Sequence, residues 1–210
     1  LSTLFFLSVA AFTILMLTKV IPYLSFEPEI DFLTTKTDRV FAKKDFQVGF
    51  YVHILSSWWV MGIGLFQFIP SFVKKYRRLH QTLGKVYVFS ILFLAAPSGF
   101  VLAWYANGGL PAKVGFSLQC LVWWLTTLLA WYEIRKNQWQ RHVEWMTRSY
   151  AVTLAAMSLR VGSYVMVYFL STKPIETYLT VTWASWVVNL IIAEVLIYNN
   201  LGTYLIHKIR

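Results

Sequence analysis

The stretch RRLHQTLGKVYVFSILFLAAPSGFVLAW, residues 77–104, opens on two arginines and a histidine and then runs apolar from Leu83 to Trp104. A helix rises about 1.5 Å per residue and the hydrocarbon core of a bilayer is about 30 Å thick, so a run of this length crosses a membrane. A second stretch repeats the arrangement: Arg141-His142 is followed by Met146, Arg148, Ser149, Tyr150 and Ala151 at the head of another apolar run. Two histidines therefore stand where basic residues meet membrane helices.

Composition agrees with a membrane-embedded chain. Hydrophobic residues make up 58% and charged residues 13%, where soluble domains carry about 25% charge. Six segments are long and apolar enough to span: Leu1 to Ile21, Phe46 to Ile69, Leu83 to Trp104, Lys113 to Trp131, Trp145 to Leu170, and Tyr178 to Tyr198. Breakers separate them at Pro22, Pro28, Pro70, Asn107-Gly108-Gly109 with Pro111, and Pro174. The expected fold is an all-α integral membrane protein, one domain of six transmembrane helices in a single bundle, with an outer loop over residues 22–45. The first segment lacks a basic leader region and a small-residue cleavage site, so it reads as a retained helix. Cys120 is the single cysteine and lies in an apolar run, where it reads as packing.

Orientation follows from lysine and arginine. Lys74, Lys75, Arg77, Arg78, Lys85, Arg135, Lys136, Arg141, Arg148, Lys208 and Arg210 fall on one side; Lys36, Arg39, Lys43, Lys44, Lys113 and Lys173 fall on the other. This asymmetry puts both termini in the cytoplasm. The net charge of +10 then reflects topology and attraction to anionic headgroups at the cytoplasmic face, and no nucleic-acid partner is expected. The expected location is a bacterial cytoplasmic membrane.

Counting depth along each helix predicts two polar layers. His53, Gln119 and Arg160 reach a similar outer level, and Glu194 comes close to Arg148, His80 and His142 at an inner level. Ionisable groups at such depths cost about 2.5–3.5 kcal/mol on insertion scales and usually find partners. Arg160 reads as a structural hydrogen-bonding residue, a ligand contact or a snorkelling side chain. Glu194 reads as a salt-bridge partner of Arg148 or a proton carrier. His80 and His142 read as interfacial residues or as the two axial ligands of a haem. A metal site of His80, His142 and Glu194 lacks ligand spacing within any one helix, and a four-histidine, two-haem pattern is not available. Trp58-Trp59 and Trp123-Trp124 lie deep but suit helix packing better than a flat cofactor. Gly62 and Gly64, with the small residues of helix five, predict close packing around a central helix five, and Pro97 with Gly99 predicts a kink in helix three.

The run Arg78-Leu79-His80-Gln81-Thr82-Leu83-Gly84-Lys85-Val86-Tyr87-Val88, then Gly99, then His142 with Trp145-Met146-Thr147-Arg148-Ser149-Tyr150-Ala151 and Arg160, resembles the predicted-membrane-protein family catalogued as domain of unknown function 2306. The resemblance spans about residues 46–170 and implies one site holding His53, His80, His142, Arg148 and Arg160. It names no substrate. The leading expectation is a redox-type protein binding haem b or a quinone; the alternatives are an accessory subunit packed against a larger membrane complex and, more weakly, a small-molecule transporter. No nucleophile elbow, phosphate loop or dinucleotide fingerprint is present.

Overall fold

The computed structural model describes residues 3–27 and 29–209. Three positions used above, Leu1, Pro28 and Arg210, lie outside the described residues. The described chain is helical with no strand. Its main helices are α1 (Thr3–Val20), α2 (Lys44–Gln67), α3 (Arg77–Trp104), α4 (Gly109–Arg135), α5 (Trp139–Leu170), α6 (Pro174–Tyr198) and α7 (Leu201–Ile209). Five of these are continuous helices long and apolar enough to cross a membrane, and α5 makes a sixth as two halves, Trp139–Thr153 and Ala155–Leu170, bent by 42°.

The predicted spans are present, but several begin earlier than expected. α3 starts at Arg77 instead of Leu83 and α5 at Trp139 instead of Trp145, while α4 is extended at both ends. The cause is the same at both histidine-bearing starts: long basic side chains keep their stems along the helix and their charge in the headgroup region, so cations belong to the first turns. Short helical turns occupy the outer loop, at Ile21–Ser25, Asp31–Thr35 and Asp38–Phe41. Around Tyr23, Leu33, Phe46 and Phe50 they form a small aromatic core. Lys36 fastens this cap to the end of α3, its Nζ donating to the Tyr105 carbonyl at 2.8 Å and to Asn107 Oδ1 at 3.0 Å. Burial holds its pKa down to about 8. The terminal helix α7 was not anticipated, because at this length it carries no spanning signal.

α5 is central only in its first half. Met146, Thr147 and Ser149 to Thr153 are buried there, whereas Ala155 alone is buried in the second half. Tyr87, Thr127, Ser149 and Thr153 meet inside the bundle: the Tyr87 hydroxyl lies 3.0 Å from Ser149 Oγ and 2.9 Å from Thr153 Oγ1, and Thr127 Oγ1 lies 2.7 Å from Ser149 Oγ. Trp123 Nε1 donates to Thr153 Oγ1 at 2.9 Å. This network ties α3, α4 and α5 together directly beside the bend. Thr153 also bonds back to the Ser149 carbonyl at 3.1 Å, a contact that can loosen helical turns, and it stands directly before the bend, in a stretch without glycine or proline.

The irregularity expected in α3 is a widened π turn over Ser90–Ala95, just before Pro97. There the Ala96 N–H reaches back to the Ile91 carbonyl. In that register the next donor would come from residue 97, a proline with no N–H, and it would have served Leu92. Trp124 Nε1 instead donates to the Leu92 carbonyl at 3.1 Å. Inside a bilayer such an orphaned carbonyl is costly. Trp124→Phe is therefore expected to lose about 1–3 kcal/mol, and much less in a Pro97→Ala background, whose residue 97 offers its own N–H. Thermal unfolding of the four proteins checks this; equal losses in both backgrounds would refute the account.

Candidate functional site

At the end of the bundle where α3 and α5 begin, His80 and His142 come within electrostatic reach of each other. His142 Nδ1 lies 2.8 Å from the Ala130 carbonyl of α4. A carbonyl can only accept, so Nδ1 carries the hydrogen and Nε2 is left with a free lone pair. His80 Nδ1 is buried without a partner, as is Gln67 Nε2 at the end of α2. Gly84, one turn beyond His80 on the same face, leaves room for the Gln67 side chain: a Cβ there would sit 3.4 Å from Gln67 Oε1. Glu133 joins these unpartnered groups from α4, with 8% of its surface exposed and Oε2 unpaired. Sequence reasoning missed Glu133 because it stands near the end of a span, where an acid ordinarily reaches solvent. Its spacing of three from Ala130 was the available signal.

Arg148 and Glu194 are engaged with each other. Arg148 Nε donates to Glu194 Oε1 at 2.6 Å and Nη2 to Oε2 at 2.9 Å, while the guanidinium lies 4.5 Å from the Trp145 ring. Among the described residues no hydrogen bond or ion pair connects them to His80 or His142. The four expected inner residues thus divide into a histidine pair and an ion pair that clamps α5 to α6. No cluster of three or more histidine, cysteine or acidic residues suited to a metal ion occurs among the described residues.

The outer group also divides. His53 Nδ1 donates to the Ala95 carbonyl at 2.8 Å, which places His53 on the π turn of α3 as a backbone partner. Gly99 makes this approach possible, since a Cβ there would come within 2.9 Å of His53 Cε1 and 3.0 Å of Cys120 Sγ. Gln119 Oε1 is buried and unpartnered. Arg160 stands apart: it is exposed on the bundle flank, and Nη1 donates to the Ala156 carbonyl of its own helix at 2.9 Å. Nothing among the described residues bonds it to His53 or Gln119. Helical depth put the three at one level, but depth carries no information about which face of the bundle each helix turns inward.

These features define a helical integral membrane protein in which two imidazoles, His53 and His142, are held by backbone carbonyls. The family model described as predicted membrane protein (DUF2306) matches residues 50–197, and the chain belongs to that family. The match runs past the expected limit near Leu170 and takes in most of α6. No curated protein and no solved structure matches the chain.

Proposed function

We propose that this is a redox-type membrane protein of the bacterial cytoplasmic membrane, with both termini inside, whose inner histidine pair binds haem b. The observation that supports the reading most is the state of the two imidazoles. His142 has its tautomer set by Ala130, which leaves Nε2 as a ligand atom, and His80 carries a buried nitrogen without a partner. A metal-bound histidine usually donates its other nitrogen in this way. Haem, when bound, supplies one-electron chemistry; the chain supplies two imidazoles from separate helices and exposed cations at the same helix starts. Arg77, Arg78 and Arg141 suit the propionates better than Arg148, which Glu194 already neutralises.

An optical spectrum of the purified protein, oxidised and then reduced with dithionite, tests the proposal. The expected result is a Soret band with reduced α and β bands. A well-folded preparation without a Soret band after incubation with hemin would overturn it.

A further inference from the structure

The second half of α5, Ala155–Leu170, packs on α6 and leaves its opposite side uncovered. Ser158 and Gly162 mark the packed side. Ser158 Oγ donates to Asn189 Oδ1 at 2.9 Å, and a Cβ on Gly162 would come within 3.4 Å of Val181 Cγ1. Arg160 stands midway between them in sequence, and at 3.6 residues per turn it lies about 160–200° round the helix from each. It therefore points away from α6, on an exposed stripe with Tyr164 and Tyr168, whose rings stack on one another.

Its depth makes this position unusual. The residues from Val161 to Leu170 carry no charge, so about 15 Å of helix separates Arg160 from the end of α5. If the whole 42° bend were tilt away from the membrane normal, about 11 Å of depth would remain. The side chain does not climb toward that end. Nη1 donates at 2.9 Å to the Ala156 carbonyl, one turn earlier, and this is its only hydrogen bond or ion pair among the described residues. Most of the five guanidinium donors are thus left free. The ionisable groups within electrostatic reach are the Tyr23 and Tyr164 phenols, with no carboxylate among them. A cation at membrane depth is costly until an anion or acceptor meets it.

We infer that this face of α5 docks a transmembrane helix of a different protein, one that carries an aspartate or glutamate inside its span to pair with Arg160. A phospholipid phosphate stays at the boundary of the hydrocarbon, beyond the reach of a guanidinium folded back toward Ala156. A second copy supplies no anion at this level. The described acids lie between Glu27 and Asp45 or near helix ends, and a two-fold pair through this face sets Arg160 against Arg160. A carboxylate on a partner helix satisfies the free donors in the bidentate geometry that guanidinium favours, and Tyr164 and Tyr168 supply contact along the same stripe. Each helix alone carries a buried charge, so the pairing also explains why the cost is tolerated.

The test mixes the full chain in phosphatidylcholine vesicles with a synthetic helix of about twenty leucines, the length of one span, carrying one central glutamate, and with the same helix carrying leucine there. Energy transfer between attached dyes reports association. The glutamate helix is expected to bind about tenfold more tightly than the leucine helix, the scale of polar pairing between membrane helices, and Arg160→Leu should erase the preference. Thermal unfolding verifies that the variant is folded, and Arg160→Gln stands in if it is not. Photo-crosslinking in the native membrane, from a benzophenone side chain in place of Tyr164, then identifies the natural occupant by mass spectrometry. The expected adduct is a protein with an acid inside a span, captured by the wild type and lost in Arg160→Leu. No preference for the glutamate helix, or a preference that survives Arg160→Leu, would overturn the proposal. So would crosslinks only to lipid, to a second copy or to a protein without such an acid. None of these measurements involves His80 or His142, so the outcome is independent of haem.

Discussion

Gly64→Ala is expected to destabilise the protein by about 2–3 kcal/mol, although alanine is the better helix former by about 1 kcal/mol. A Cβ at Gly64 would overlap the Tyr150 ring and approach Tyr87 Cε2 to 3.0 Å. Neither ring can retreat cheaply. Tyr150 donates its hydroxyl to the Met61 carbonyl at 3.1 Å, and Tyr87 is fully buried with its hydroxyl between Ser149 and Thr153. Gly84 is the internal control, because an added Cβ there meets only the end of the Gln67 side chain. Gly84→Ala should be neutral or stabilising. Unfolding by sodium dodecyl sulfate in mixed micelles compares the two, and equal effects would mean that the α2–α5 contact is not tight at Gly64.

Glu194→Ala is expected to cost roughly 2–3 kcal/mol, slightly less than the full insertion penalty because Glu194 stands near the end of α6 with its side chain 54% exposed. The loss arises from stranding the Arg148 guanidinium, whose side chain is only 19% exposed. Arg148→Leu in the same chain should restore most of the stability, since an apolar pair can replace a matched ion pair at little cost. The same unfolding assay decides: a double variant as unstable as the single would show that the carboxylate matters for something other than this arginine.

The spans were legible because hydropathy over a window of about twenty residues depends on little besides composition. The ion pair was legible too, as Arg148 and Glu194 fall at one depth on adjacent helices. Other features depend on azimuth or on packing between distant elements. Arg160 and His53 share a level yet face different parts of the molecule, and nothing in a single helix records that. The bend at Leu154 lies beside hydroxyl contacts among Tyr87, Ser149 and Thr153, in a stretch that reads as ordinary helix. Pro97 signalled a disturbance in α3, but the widened turn and its repair by Trp124 required the neighbouring helix. Glu133 and Ser185 became notable only when their oxygen atoms were found buried and unpartnered. A half-open apolar cavity of about 780 Å³ likewise belongs to no single segment, because both halves of α5, α6, α7, Phe5 and Phe68 all line it.

We propose that His80 and His142, at the two basic helix starts, would together hold one haem iron. Electron paramagnetic resonance of the oxidised, haem-loaded protein addresses it most directly. The expected result is a low-spin ferric signal from two imidazoles that turns high-spin in both His80→Ala and His142→Ala. A high-spin signal in the wild type, or a low-spin signal that survives either substitution, would contradict it.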